Sequence, residues 1–156
     1  MIDSDLLLLL IAALCVVFAA LLASADAAFS RVSRVSVDQY VRSGRRGAPR
    51  LAQVIADPAR YVNVALFLRA LSEITATVLV TVVTLNTFAL RWEAVVAASA
   101  TMVVIDYVVI GVAPRTLGRQ HAGGVALVSA GPLYRLATFL SPLTKLLILL
   151  GNALTP

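Results

Sequence analysis

The sequence predicts an all-α polytopic membrane protein with three transmembrane helices, a cytoplasmic helical hairpin and a C-terminal juxtamembrane amphipathic helix. Hydrophobic residues make up 60% and charged residues 13% of the 156 positions, and the mean hydropathy is +0.93, which is more apolar than a soluble domain requires. Three apolar runs, at about 6–29, 61–87 and 94–113, are each long enough to cross a hydrocarbon core of about 30 Å. Because hydrocarbon offers no partners for backbone polar groups, we expect these runs to be α-helical and the chain to form a single transmembrane domain.

The first run resembles a secretory signal peptide, since it is N-terminal and ends in small residues. Its length and its acidic start, with Asp3 and Asp5, favour a retained helix instead. The single cysteine, Cys15, lies in this run, which excludes an intramolecular disulfide and a cysteine metal cluster. Small residues recur along one face and permit close helix packing, either in a dimer or between spans. They are Ala12, Ala19, Ala23 and Ala27.

Residues 31–60 are predicted to form the cytoplasmic hairpin. Two short helices, at about 35–40 and 51–56, flank a flexible basic turn at 43–49 that contains two glycines and a proline. Asp57-Pro58 ends the second helix, and Pro58 suits the start of the second span.

Residues 115–156 are predicted to form the juxtamembrane region, which the chain enters through Pro114. Pro132 and Pro142 are expected to interrupt its apolar sequence, and 143–150 is too short to span a membrane alone. Basic residues on otherwise apolar turns, Arg135 and Lys145, fit amphipathic helices lying along the inner leaflet. The alternative is a fourth span.

Basic residues set the predicted topology, because cytoplasmic loops collect arginine and lysine. The connection at 86–93 carries only Arg91 beside Glu93, with Trp92 suited to a membrane interface. We therefore expect a plasma (inner) membrane protein with its N-terminus outside and its C-terminus in the cytoplasm. The loop after the first span holds Arg31, Arg34, Arg42, Arg45, Arg46, Arg50 and Arg60.

The sequence pI of about 10.1 raises nucleic-acid binding as an alternative. The arginines cluster at the predicted inner face and lack interleaved aromatic residues, so topology and anionic lipid head groups explain them better, and no nucleic-acid partner is expected. The lone His121 has no partner at ligand spacing. The sequence also contains no Ser/His/Asp set, glycine-rich phosphate loop or cysteine motif, so an enzyme is not expected.

Four ionisable residues lie inside the apolar runs: Asp26, Arg69, Glu73 and Asp106. Charge in hydrocarbon is costly and marks function or helix docking. Counted from the cytoplasmic ends, Arg69 lies about 12 Å and Asp106 about 10 Å deep, so these two can meet. Glu73 follows Arg69 at the i, i+4 spacing of a side-chain pair. Asp26 is close enough to the inner end of its span to reach water.

The three carboxylates exceed Arg69 by two negative charges, which matches one divalent ion, two monovalent ions or two protons, since carboxylates in apolar surroundings take up protons. The alternative is that Arg69 binds both Glu73 and Asp106 and ties the second span to the third without an ion. Ser24 and Ser72 are candidate hydroxyl ligands, although hydroxyls in such helices commonly bond to the preceding turn.

Three segments resemble, in order, motifs of one family. Residues 24–34 are similar to Ser-x-x-Glu-x-Ala-x-x-Ser-x-Ser-Arg, one residue shorter, and residues 47–61 are similar to a Gly-Ala passage that ends in Asp-Pro-Glu-Arg-Phe. Residues 111–119 resemble Gly-Glu-x-x-Pro-Lys-Thr-Leu-Ala-Arg in a shifted form. Together they resemble the transmembrane domain of the cyclin M / CorC (hemolysin C-like) family over essentially the whole chain.

This resemblance implies a homodimeric three-span domain that takes part in magnesium transport, generally export coupled to sodium entry. Members usually carry a pair of nucleotide-binding cystathionine-β-synthase (CBS) domains after this region. The chain stops at Pro156, where that pair would begin, so we expect the CBS pair to be absent from it.

The resemblance also implies an altered ion site. The family holds Mg²⁺ with oxygens from a span-one hydroxyl, a span-two Asn and the Glu before the Pro-Lys exit, as a hard cation requires. Alignment on Asp57-Pro58 and Pro114 puts Arg69 and Glu73 at two Asn positions and Gly111 at the Glu position. The predicted function is divalent-cation transport through a degenerate site, with Arg69 as a substitute cation or charge lock. The alternative is a non-transporting membrane scaffold or accessory subunit. Candidate Mg²⁺ ligands are Ser24, Asp26, Ser72, Glu73 and Asp106, and Na⁺ is the candidate coupling ion.

Overall fold

The computed structural model describes the backbone of residues 2–140 and 142, and every regular element in these residues is helical. The all-α prediction is confirmed. The elements are α1 (Ile2–Phe29), α2 (Arg34–Arg42), α3 (Ala48–Ala56), α4 (Pro58–Thr87), α5 (Arg91–Ile105), a π-helical turn (Asp106–Val112), α6 (Ala113–Gln120) and α7 (Ala122–Phe139).

Among the described residues, three helical segments are long and apolar enough to cross a membrane: Ser4–Phe29, Pro58–Thr87 and Arg91–Gln120. The third was expected to end near Ala113, but its helix continues through Pro114 to Gln120. The π-helical turn that precedes Pro114 accounts for this. A proline ring in an α-helix collides with the carbonyl four residues earlier, and a wider turn relieves that contact.

The chain divides into two compact units, of which the first comprises Met1–Ser24 and Leu68–Leu117. Its core is built from small side chains on α1. Ala12 packs with Ala76 and Met102, while Ala19 and Ala23 pack with Ile110. The small-residue face of α1 therefore packs between spans, because small side chains let helix backbones approach closely. The opposite face exposes a leucine-rich surface suited to lipid, including Leu6, Leu10, Leu14 and Leu21.

The second unit comprises Ala25–Phe67 and Gly118–Pro156, and in it the α2–α3 hairpin packs against α7. Gly47 has a φ of 88° and lies directly against the Leu127 carbonyl, and the Tyr40 hydroxyl lies against Gly123. Such close approaches require positions without a side chain. The buried face of α7 is formed by Ala126, Ala130, Leu133 and Ala137.

Helix α7 differs from the sequence-based expectation at Pro132. The proline was predicted to interrupt the juxtamembrane region, yet α7 runs through it from Ala122 to Phe139. Packing of one face against the hairpin holds the helix where Pro132 removes a backbone hydrogen bond. Within residues 2–140 and 142, α7 is not among the candidate spans. Residues 143–150, which bear on the alternative of a fourth span, lie outside the described residues.

Candidate functional site

Helix α4 places three polar side chains of the candidate site on adjoining turns. Arg69 donates from Nε to Oε1 of Glu73 over 2.7 Å. The Arg69 and Glu73 side chains are 20% and 24% exposed, respectively, so the pair is partly buried. The i, i+4 spacing predicted this pair, because those positions lie one above the other on a helix. A charge-assisted bond of this length is strong, and it neutralises both groups formally.

Asp106 opens the π-helical turn in the third span. Its backbone N–H bonds to the carbonyls of Met102 and Val103, while its side-chain Oδ1 is buried and has no hydrogen-bond partner among the described residues. The charges of Arg69 and Glu73 lie close enough to act on it. The first unit thus brings a neutral ion pair and an unpartnered carboxylate oxygen into one neighbourhood.

Of the two bonds in the alternative arrangement, Arg69–Glu73 and Arg69–Asp106, only the first is present in the described residues. Within the described part of the chain, the ion pair that lies within 4 Å is the one between Arg69 and Glu73. Glu73 is reached along the same helix, whereas Asp106 lies across the distance of about 8–10 Å that separates packed helix axes. The local partner is therefore favoured, and the ion pair does not tie the second span to the third.

The π-helical turn itself was not foreseen from the sequence. Its wider hydrogen bonding is seen where the Ala113 N–H bonds to the carbonyl of Val108, five residues earlier. A Cβ at Gly111 would lie 3.1 Å from the carbonyl oxygen of Asp106. The available signal was a glycine followed three residues later by Pro114, because π-type turns in α-helices commonly relieve such interruptions and often mark functional sites.

The candidate hydroxyl ligands take different positions. Ser72 is 8% exposed, and its Oγ donates to the Leu68 carbonyl over 2.8 Å, as expected for a hydroxyl in a spanning helix. Its lone pairs are not consumed by that bond. Ser24 is half-buried and is the last residue of the first unit.

Asp26 belongs to the second unit and is half-buried. Its backbone carbonyl accepts a bond of 2.9 Å from the Ser30 hydroxyl, at the end of α1. The residues that the first unit brings together are therefore Arg69, Ser72, Glu73 and Asp106.

The chemistry of this cluster follows from its charge. The ion pair is formally neutral, so the cluster has a formal net charge of about −1 when Asp106 is ionised. The described residues contain no group of three or more His, Cys, Asp or Glu that could hold a metal ion. With Arg69 on Glu73, the cluster therefore suits one positive charge, and a divalent ion requires Glu73 to be released from Arg69.

Comparison with known proteins tests the resemblance to the cyclin M / CorC family. The family model described as Cyclin M transmembrane N-terminal domain matches residues 10–156. The chain belongs to this family. The cyclin M domain of this chain is similar to UPF0053 protein Mb2387c of Mycobacterium bovis and UPF0053 protein Rv2366c of Mycobacterium tuberculosis. Each is 48% identical over 136 residues, which are 87% of this chain.

The cyclin M domain spans only 31% of the length of those two relatives. The family assignment and the three candidate spans together identify an integral membrane protein of a family commonly associated with divalent-cation transport. In this cyclin M domain, Gly111 lies in the π-helical turn and has no side chain that could bind an ion. The nearest carboxylate along the same span is Asp106, which begins that turn.

Proposed function

We propose that this cyclin M domain forms the cation pathway of a membrane transporter, with Mg²⁺ as the transported ion and Na⁺ as the coupling ion. One observation carries the proposal: Oδ1 of Asp106 is buried in a candidate spanning helix, and no described residue forms a hydrogen bond with it. An unsatisfied buried polar atom costs about 1–3 kcal/mol, and more when it is charged. A cation that binds at the site offsets that cost, and cation binding therefore accounts for a carboxylate at this position.

The proposed mechanism is alternating exposure of the polar cluster to the two sides of the membrane. In the observed state Arg69 is bound to Glu73 over 2.7 Å and acts as a tethered cation. Entry of Mg²⁺ toward Asp106 repels the guanidinium, and departure of Arg69 frees Glu73 as a second carboxylate. Ser72 supplies a hydroxyl oxygen from the same helix, and Ser24 supplies one from α1. Asp26 attracts cations at the inner end of α1.

The proposed assembly is a homodimer in the plasma membrane, with the N-terminus outside and the C-terminus in the cytoplasm. The distribution of arginine supports this orientation, because the loop between α1 and α4 holds six of them and the connection between α4 and α5 holds none, with Arg91 at the first position of α5.

A second candidate function is that of a non-transporting scaffold or accessory subunit. The bond between Arg69 and Glu73 favours it, since a permanently bound guanidinium removes one candidate ligand. The same geometry limits this alternative, because the bond lies within α4 and does not link it to α5.

A flux assay in proteoliposomes distinguishes the two functions. The proteoliposomes are loaded with a Mg²⁺-sensitive dye and assayed for Mg²⁺, Mn²⁺ and Na⁺ flux. We expect flux from the wild type and at least about a tenfold loss in Asp106→Asn, because a neutral amide binds a cation far more weakly than a carboxylate does. Glu93→Gln is the matched control, as Glu93 is a half-buried carboxylate in the first turn of α5. Absence of flux from folded wild-type protein would reject transport and leave the scaffold.

A further inference from the structure

The α2–α3 hairpin carries an unusual concentration of positive charge. Residues 30–57 hold six arginines and two aspartates, a formal net charge of +4, while the whole chain has +5. Nearly all of the chain's excess charge therefore lies in one short segment. We call these six residues the hairpin arginines: Arg31, Arg34, Arg42, Arg45, Arg46 and Arg50.

The hairpin arginines are all exposed. In residues 2–140 and 142, no carboxylate lies within 4 Å of any of them, since the ion pair at that distance is Arg69–Glu73. Carboxylates in the described part of the protein therefore do not neutralise their charge. An exposed and unneutralised group of this size attracts anions over about one Debye length, 8–10 Å at physiological ionic strength.

The turn between α2 and α3 holds several of these side chains in defined positions. Arg45 donates its backbone N–H to the Tyr40 carbonyl over 3.0 Å, and its guanidinium lies 5.1 Å from the centre of the Tyr40 ring. Gly44 and Gly47 have φ values of 66° and 88°, in the left-handed region that lets the chain reverse sharply. Behind the turn, Gly47 lies against Leu127 of α7. The basic surface is thus built on an ordered support.

Chain connectivity places this surface beside a membrane. Helix α1 ends at Phe29 and α4 begins at Pro58, and both helices are candidate spans. The hairpin therefore leaves and re-enters the bilayer at the same face. Helix α3 has nine residues, so its length of about 13 Å limits how far the turn lies from the start of α4. Arg31 and Arg34 follow α1 within about two turns of helix.

The surrounding side chains favour lipid over nucleic acid. Val35 is 68% and Val41 is 42% exposed, which gives the basic face apolar neighbours suited to a bilayer interface. The hairpin's one aromatic ring, that of Tyr40, lies beneath Arg45, so it is not free to stack on a base as single-stranded nucleic-acid binding requires.

We propose that the hairpin arginines form a binding surface for the anionic head groups of the adjoining leaflet, a role separate from cation transport. Phosphate oxygens of lipids such as phosphatidylglycerol complement the guanidinium groups in charge and geometry. Each arginine held near an anionic surface changes affinity by about fivefold, which corresponds to about 1 kcal/mol.

The experiment is native mass spectrometry of the full chain in nonionic detergent, titrated with phosphatidylglycerol or with phosphatidylcholine of the same acyl chains. We expect tighter binding of phosphatidylglycerol to the wild type, which weakens as salt is raised. Arg42→Gln/Arg46→Gln should lose about 25-fold in phosphatidylglycerol affinity, and Arg46→Gln alone about fivefold. Both positions are exposed and leave the Arg45–Tyr40 contact intact.

Two controls accompany these variants. Arg91→Gln removes an exposed arginine outside the hairpin, and Arg42→Lys/Arg46→Lys keeps the charge; each should stay within about threefold of the wild type. Equal binding of both lipids by the wild type, or no loss in the double glutamine variant, overturns the proposal. A single-stranded oligonucleotide that displaces phosphatidylglycerol and depends on Arg42 and Arg46 also overturns it, and assigns the surface to nucleic acid.

Discussion

Arg69 and Asp106 lie in the same compact unit but differ in whether the charged group has a hydrogen-bond partner. Arg69 is bonded to Glu73, whereas Oδ1 of Asp106 is buried without a partner in the described part of the chain. Removal of a charge therefore has opposite consequences at the two carboxylates. Loss of Glu73 leaves a partly buried guanidinium without its counter-ion, while loss of charge at Asp106 removes an unsatisfied anion.

This difference predicts the stability of two variants. Glu73→Gln should lower the free energy of unfolding by about 1–2 kcal/mol, a value reduced from the fully buried case because both side chains are partly exposed. Asp106→Asn should leave it unchanged or raise it by up to about 1 kcal/mol. Thermal unfolding of both variants in the same detergent, without divalent ions, measures the two effects. Equal destabilisation would contradict the description of Asp106 as unpartnered.

Arg69 also determines the charge that an incoming ion meets. Arg69→Gln changes the formal charge of Arg69, Glu73 and Asp106 together from −1 to −2, which matches a divalent ion. We expect Mg²⁺ or Mn²⁺ to bind the variant at least about tenfold more tightly than the wild type, because the competing cation is gone.

Isothermal titration calorimetry with Mn²⁺ measures this gain, and Arg115→Gln provides the control, since Arg115 is exposed and lies outside the cluster. Identical Mn²⁺ affinity in Arg69→Gln and the wild type would show that Arg69 does not act as a tethered cation.

At the scale of elements, close backbone contacts hold the hairpin on α7. Gly47 and Gly44 share the left-handed conformation, with φ values of 88° and 66°, but they differ in surroundings. A Cβ at Gly47 would overlap the Leu127 carbonyl, whereas a Cβ at Gly44 would meet nothing within 4 Å. Substitution of Gly44 therefore measures the cost of backbone conformation alone, whereas substitution of Gly47 adds the cost of lost packing.

Alanine substitutions test this separation. Gly44→Ala should cost about 1–2 kcal/mol, the strain of a side chain in the left-handed region. Gly47→Ala should cost about 1–3 kcal/mol more, because α3 and α7 must move apart. Unfolding monitored by circular dichroism in one detergent compares the pair directly. Equal costs would mean that the Gly47–Leu127 contact contributes nothing to the docking of α7.

At the scale of the whole molecule, the order of spans and basic segments determines how the chain lies in the membrane. The hairpin is joined to α1 and α4, so it shares one side of the bilayer with the inner ends of both spans. In the proposed topology, the short connection between α4 and α5 lies on the other side. Positive charge favours the cytoplasm for the hairpin.

Single cysteines in a Cys15→Ala background test this topology. Ser43→Cys in the hairpin turn should react with a membrane-impermeant maleimide only after the cells are opened, while Ala89→Cys in the α4–α5 connection should react in intact cells. Both positions are exposed. The reverse pattern would invert the proposed orientation, and labelling of both in intact cells would contradict a single spanning topology.

Sequence reasoning succeeded where structure depends on neighbours along the chain. Run length and hydropathy predicted the spans, and i, i+4 spacing predicted the bond between Arg69 and Glu73. It was wrong about Pro132, where α7 continues, and it left open a bond between Arg69 and Asp106 that the described residues do not contain. Both cases concern competition between a local preference and contacts made with another element.

The sequence by itself determined the helical membrane character, the family and the identities of the buried charges, because hydrocarbon allows few backbone structures and i, i+4 pairs form within one helix. Tertiary structure alone decided that the alanine face of α1 packs between spans and that Asp106 begins a π-helical turn. It also decided that Arg69 bonds to Glu73 and that, among the described residues, Oδ1 of Asp106 is left without a partner. These features depend on distances between helices, which arise from packing and are not encoded in the spacing of residues along one helix.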